Sequence, residues 1–203
     1  MTNGERSNEA EIAVYIGLGS NMGDRLANLR EAIARIEALG LEVAGESSIY
    51  ESEPIGFTDQ PWFLNQAIET KILAGLTAEH GPVPVLDNPE TIAAIQAEAL
   101  LSKLLKIERE MGRERTIANG PRVIDIDLLL FGDKIIARSK KDEGGPFVDR
   151  TDVFVPHPRM HLRRFVLVPL CEIAPGVAHP VLNKTCRELL AKLEDSSVVR
   201  LYK

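Results

Sequence analysis

The stretch GPRVIDIDLLLFG, residues 120–132, restricts the fold more than any other segment of the 203-residue chain. Nearly every residue from Val123 to Phe131 is apolar, which is the pattern of a buried strand. Two carboxylates, Asp125 and Asp127, nevertheless sit inside it. Residues i and i+2 of a strand point to one face, so the two acids stand about 7 Å apart at their Cα atoms. By the same parity Leu129 and Phe131 share their face, which argues against simple exposure. The chain must therefore supply either a cation or arginine partners for both acids.

Around this strand the periodicity alternates. IAVYIGLGS (12–20) reads as a strand. Leu26, Leu29, Ile33 and Ile36 mark a helix that Asp24 or Asn21 would cap and Gly40 would stop. LEVAGESSIYES (41–52) reads as one strand and FLNQAIETKIL (63–73) as another, with EPIGFTDQP (53–61) a loop between them. A Pro-rich connection (78–90) precedes a helix over 92–111. KIIAR (134–138) is placed as a hairpin return of the opening strand, across Gly132-Asp133. VPHPRMHLRRF (155–165) leads into a short apolar helix, followed by a helix over 185–194 and a strand over 197–202. Several strand–strand links are too short for parallel crossovers, so the expectation is an α+β sandwich with a mostly antiparallel sheet. Residues 1–11 read as a disordered tail and 12–203 as a single domain, with no internal repeat.

Charge and cysteine content narrow the function classes. The formal net charge of −6 argues against a nucleic-acid binder. No apolar run reaches the roughly 18–20 residues that span a bilayer, and residues 1–11 lack the apolar core of a signal peptide. Cys171 and Cys186 form neither a CxxC pair nor a disulfide framework, which fits a reducing cytoplasm.

Two carboxylates on one strand face suit Mg²⁺, a hard cation that completes its shell with waters and phosphate oxygens. Two such ions roughly 3.5–4 Å apart clamp a triphosphate. An Asp–Arg network satisfies the same acids, and residue chemistry leaves both open. Arginines are dense nearby: Arg109, Arg113, Arg115 and Arg122 lie within fourteen residues, and Arg159, Arg163 and Arg164 follow His157. Guanidinium groups bind phosphate oxygens in bidentate fashion. His157, held between Pro156 and Pro158, is a phosphate contact or a structural turn residue. GLGSNMG (17–23) is neither a dinucleotide fingerprint nor a Walker A loop. Its glycines read as a strand-to-helix turn. Phe63 and Phe165 are candidates to sandwich a flat heterocycle, with Asn65 reading its edge, or are core residues.

In combination these blocks resemble the 6-hydroxymethyl-7,8-dihydropterin pyrophosphokinases of folate biosynthesis. YIGLGSNMGDR (15–25), YESEPIGFTDQPWFLNQA (50–67), GPRVIDIDLLLFG and VPHPRMHLRRFVLVPLCEIAP (155–175) appear in the family's order over roughly residues 12–200. The resemblance implies a ferredoxin-like α/β sandwich. It also implies transfer of diphosphate from ATP, the co-substrate, to the pterin hydroxymethyl oxygen, with release of AMP. Asp125 and Asp127 would hold two Mg²⁺ ions, with Arg113 and Arg122 facing the phosphates. Glu108, Arg115, His157 and Arg163 fall at nucleotide-side positions. Phe63 and Phe165 would stack the pterin, Asn65 would read its edge, and backbone around Ser52 and Ile55 would complete the pocket. The implied partners are small molecules, with no nucleic acid or membrane, and a monomer is expected over an oligomer. The alternatives are an inactive pterin- or nucleotide-binding relic and a two-metal nucleotidyltransferase. Asn119 stands where the family often has Trp, in a loop one residue shorter, and Phe63 where Tyr is common. Two stretches, near 76–95 and 138–152, read as insertions.

Overall fold

The computed structural model describes residues 11–72, 88–113, 119–138 and 152–203. Ten strands and four α-helices follow in chain order among these residues: β1 (Ile12–Ser20), α1 (Arg25–Glu37), β2 (Glu42–Glu46), β3 (Tyr50–Ser52), β4 (Phe63–Ile72), α2 (Pro89–Glu110), β5 (Asp125–Phe131), β6 (Ile136–Arg138), β7 (Val153–Val155), α3 (Arg164–Ile173), β8 (Ala178–His179), β9 (Lys184–Thr185), α4 (Cys186–Ala191) and β10 (Val199–Leu201). The main sheet runs β10-β3-β4-β1-β5, with β2 also on β4. Every pairing in it is antiparallel, as the short links require. Most of residues 1–11 and of the two expected insertions lie outside the described residues. Glu11 does not, and pairs with Lys71 at 3.0 Å.

Local chemistry explains most boundaries. Asp24, not Asn21, caps α1, accepting from the Ala27 N–H at 3.0 Å. α2 begins three residues before the expected start, because Asn88 caps it and Pro89 occupies its first turn. Residues 89–95 are therefore helix. The expected single strand over 41–52 is split into β2 and β3. Ser47 exchanges hydrogen bonds with Ala67, its N–H donating to the carbonyl at 2.9 Å and its Oγ accepting at 3.0 Å. The Ser48 N–H and hydroxyl then turn to Glu172 on α3. The ladder cannot continue through 47–49 once these groups point elsewhere.

KIIAR does not return along β5. Ile136–Arg138 pairs with β7 in a separate two-stranded sheet. The partner strand β7 lies well beyond the hairpin in sequence, so local periodicity carries no sign of this pairing. The β8–β9 hairpin also escaped the periodicity, since two-residue strands carry no alternation to read.

One face of the sheet packs against α1 and α2 through Val14, Ile16, Leu64, Ile126 and Leu128, with Leu29, Ile36, Leu100 and Leu104 opposite. The other face carries α3 and α4 over Tyr15, Ala67, Leu129 and Leu130. Burying each such leucine contributes roughly 1.5–3 kcal/mol. Strand parity fails at one point. Ile16 pairs with Leu128 and Tyr15 with Leu130, so Leu129 is an extra residue on β5. A bulge of this kind resets the alternation. Leu129 keeps the face of the two acids, as expected. Phe131 is turned to the opposite side, among the α1–α2 core, which corrects the assignment by parity. The Leu129 carbonyl accepts from the His157 N–H at 2.9 Å, so the bulge fixes the loop carrying that histidine. Among the described residues, no helix is long and apolar enough to cross a membrane.

Candidate active site

A cleft of about 770 Å³ opens on the α3 side of the sheet. Its floor is β1. Gly17 stands between Asp127 of β5 and Ala67 of β4, and Gly19 between Asp125 and Asn65. The two glycines are thus strand residues within the cleft floor, not the strand-to-helix turn expected of them. A Cβ on Gly19 would meet only ordinary contacts, Asn65 Oδ1 at 3.4 Å and the Asp125 and Phe63 carbons at 3.9 Å. Its absence therefore clears room above the sheet rather than relieving a clash. Gly19→Val is expected to leave the melting temperature nearly unchanged. It should weaken binding of a flat ligand about 5- to 150-fold, since overfilling a packed site costs about 1–3 kcal/mol. Thermal melts beside a ligand titration check this.

On one side of the floor lie the acids. Asp125 is held by two guanidiniums, Arg113 at 2.5 Å and Arg122 at 2.8 Å. Glu108 is 2% exposed and lies behind them. It accepts from the Ile126 N–H at 2.7 Å and forms an ion pair with Arg113. Glu108 thereby ties α2 and β5 to the arginine. Burial pushes its carboxyl up to about 7, against the pull of Arg113. Asp127 has a different environment. Its nearest basic groups among the described residues are Arg163 and His157, both at 3.9 Å, beyond hydrogen-bond range. Burial, with the Asp125 charge second, pushes Asp127 up to about 7, although 30% of the side chain still opens into the cleft. His157 Nδ1 accepts from the Arg159 N–H at 3.2 Å, which leaves Nε2 toward Asp127. Burial, then Arg163 and Arg159, push that imidazole down to about 4, so it is neutral at pH 7.

Of the two compensations open to the acids, the Asp–Arg network is realised at Asp125 and not at Asp127. Asp127 and the outward side of Asp125 form an all-oxygen donor set that fits a hard divalent cation. Among the described residues no third His, Cys, Asp or Glu joins them, so waters or phosphate oxygens would complete the shell.

On the other side lie the aromatics. Phe63 and Phe165 both line the cleft, and each has an arginine over its ring: Arg122 at 5.6 Å from the Phe63 centroid and Arg163 at 5.5 Å from that of Phe165. Asn65 is buried and donates through Nδ2 to Ser52 Oγ at 2.9 Å, leaving its carbonyl oxygen beside Gly19. Ser52 and Ile55 line the same end. Glu108 is the one described candidate outside the lining. Arg115 lies outside the described residues.

Sequence reading did not assign Asn21 or Gln60 to the site. Asn21 is 2% exposed. Its Oδ1 accepts from the Arg122 N–H at 2.8 Å, and its Nδ2 donates to Gln60 Oε1 at 2.9 Å. Gln60 in turn donates to the Asn119 carbonyl at 2.8 Å. Asn119, at φ 57°, rests on Gly56, where a Cβ would come within 3.2 Å of its amide. The loop after β3 and the loop before β5 are joined through Asn119 itself, at the position where Trp was expected. The only sequence signal for Asn21 was an amide directly after a buried strand, which a helix cap explained equally well.

Comparison with known proteins adds to this geometry. The family model for 7,8-dihydro-6-hydroxymethylpterin-pyrophosphokinase matches residues 15–80 and 88–175. The chain is 36% identical to a 2-amino-4-hydroxy-6-hydroxymethyldihydropteridine pyrophosphokinase of Aquifex aeolicus, over 86% of this chain and 88% of that protein. It is 38% identical to the protein of the same name from Methylorubrum extorquens, over 92% of this chain and 97% of that one. It is also 33% identical to the folic acid synthesis protein fol1 of Pneumocystis carinii, over 92% of this chain but only 21% of that longer protein. A solved HPPK-DHPS structure in complex with substrates superposes with a TM-score of 0.59 at 13% identity. It covers 90% of this chain and 43% of that one, a likeness of fold alone.

Proposed function

The chain belongs to the 7,8-dihydro-6-hydroxymethylpterin-pyrophosphokinase family, and from that premise we propose how it works. It is a pyrophosphokinase of folate synthesis, transferring diphosphate from ATP to the hydroxymethyl oxygen of 6-hydroxymethyl-7,8-dihydropterin and releasing AMP. The observation that carries the reading is the division of one cleft: acids and arginines on one side of a glycine floor, aromatics and an amide on the other. The sheet's central order, with two β-α-β units interleaved in an antiparallel sheet, supports a ferredoxin-like description of the fold.

The pterin lies between Phe63 and Phe165, whose faces favour a flat heterocycle. The Asn65 carbonyl and backbone near Ser52 and Ile55 read its edge. The hydroxymethyl group then points along the floor toward Asp125 and Asp127. The arginines already stand at the boundary between the two halves, since Arg122 and Arg163 each reach an aromatic ring and an aspartate. Arg113, Arg122 and Arg163 neutralise charge on the triphosphate, Glu108 aims Arg113, and neutral His157 donates to a phosphate oxygen. Arg115 is assigned to the nucleotide side by its family position. Asp125 and Asp127 would hold two Mg²⁺ ions, which would supply positive charge to neutralise the phosphates during transfer. The hydroxymethyl oxygen bonds to the β-phosphorus as the bond to the α,β-bridging oxygen breaks; AMP leaves with that oxygen, and the hydroxyl proton passes to water. No residue forms a covalent intermediate, so the protein contributes positioning and fixed charge.

Two relatives of similar length carry this activity's name as separate proteins, which supports a chain acting alone, as a monomer. Both cysteines are free, in keeping with the cytoplasm. The test is direct. Purified protein with ATP, Mg²⁺ and the hydroxymethyldihydropterin should yield AMP. ADP or released pyrophosphate overturns the reading, the latter in favour of a nucleotidyltransferase. Binding without turnover leaves the inactive relic.

A further inference from the structure

α3 has an uncapped start of its own. Arg163 occupies the cap position and makes no side-chain hydrogen bond to the helix. Four backbone N–H groups at a helix start need acceptors from elsewhere. One acceptor comes from the far end of the chain: Asp195 Oδ2 accepts from the Arg164 N–H at 2.8 Å. Its other oxygen accepts from the Ser197 N–H at 2.9 Å, which shapes the segment leading to β10. Asp195 is half-buried and lines the cleft with Phe165. A carboxylate at this end of the helix also meets the positive pole of its dipole.

The same segment grips the opposite wall. Val199 pairs with Ser52. The Val198 N–H donates to Glu53 Oε1 at 2.7 Å, and the Glu53 N–H to the Val198 carbonyl at 3.3 Å. Arg200 then pairs with Glu51 at 2.7 Å. Residues 195–200 thus span from the first turn of α3, which carries Phe165, to β3, which carries Ser52.

We propose that Asp195 is a positioning residue for the pterin: by capping α3 from the C-terminal segment it sets the gap between Phe165 and the β3–β4 wall. This deepens the proposed function and rests on it. ATP should be less affected: of the side chains assigned to it, only Arg163 sits at the start of α3, while Arg113, Arg122 and His157 are carried by other elements.

The experiment measures pterin affinity by fluorescence titration, and both KM values and kcat, for the full-length wild type, Asp195→Ala and Asp195→Asn. Asp195→Ala is expected to weaken pterin binding and raise the pterin KM about five- to tenfold, with the ATP KM within about twofold. Asp195→Asn retains one acceptor and falls between. A loss of folded protein alone would lower kcat and leave both KM values unmoved. That result, an unchanged pterin affinity, or an equal rise in both KM values overturns the proposal. If Asp195→Ala does not fold, Asp195→Asn decides by the same criteria. Wild-type protein that fails to bind the pterin overturns the parent function as well, whereas wild-type binding with unchanged variants overturns this inference alone.

Discussion

Asp127→Asn is expected to lower turnover by about three orders of magnitude while the pterin still binds. The substitution keeps shape and one acceptor oxygen but removes the charge that would fix a divalent cation over the phosphates. Losing a preorganised electrostatic element of this kind costs about 10²–10³ in rate, and a metal contact adds to it. Asp127 is the cleaner of the two acids to test. Asp125 is bound to Arg113 and Arg122, so Asp125→Asn also releases two guanidiniums and its loss of rate has two sources. Asp127 has no cationic partner closer than 3.9 Å among the described residues. Single-turnover AMP formation with saturating Mg²⁺, alongside a pterin titration, gives the answer. Rates near wild type would remove Asp127 from the mechanism.

Phe131→Ala should cost about 3–5 kcal/mol of stability, the range for a large side chain deleted from a packed core. Phe131 is fully buried among the α1–α2 layer. Urea denaturation measures the loss, and Phe131→Leu should recover most of it. This variant also tests the bulge at Leu129. With Phe131 turned away from the cleft, the folded fraction of Phe131→Ala should keep the wild-type pterin KM. Unbroken alternation would put Phe131 on the cleft side, and the same variant would then disturb the site.

The contrast between these two residues shows where sequence reading succeeds. Period-two alternation puts Asp125, Asp127 and Leu129 on one face, and they share it. Phe131, two residues further, does not, because a bulge is a property of two strands in register and leaves no mark in one. The same limit explains Gly17 and Gly19. A glycine-rich segment before a helix reads as a turn. Its role as a floor exists only because β4 and β5 pair on either side of β1.

The sequence by itself determined the helices, the main strands and the antiparallel character of the sheet, and the family resemblance pointed to Phe63, Asn65, Arg113, Arg122, Asp125 and Asp127 among the residues that line the cleft. The elements follow from local periodicity, capping chemistry and the length of the links, all of which act within a few residues. Tertiary structure alone decided that Arg113 and Arg122 serve Asp125 while Asp127 stays open. It also decided that Asn21 and Gln60 join two loops, and that Asp195 completes a helix some thirty residues earlier in the chain. Each of these contacts depends on where distant backbones meet, and that is fixed by strand register and packing rather than by the order of residues along the chain.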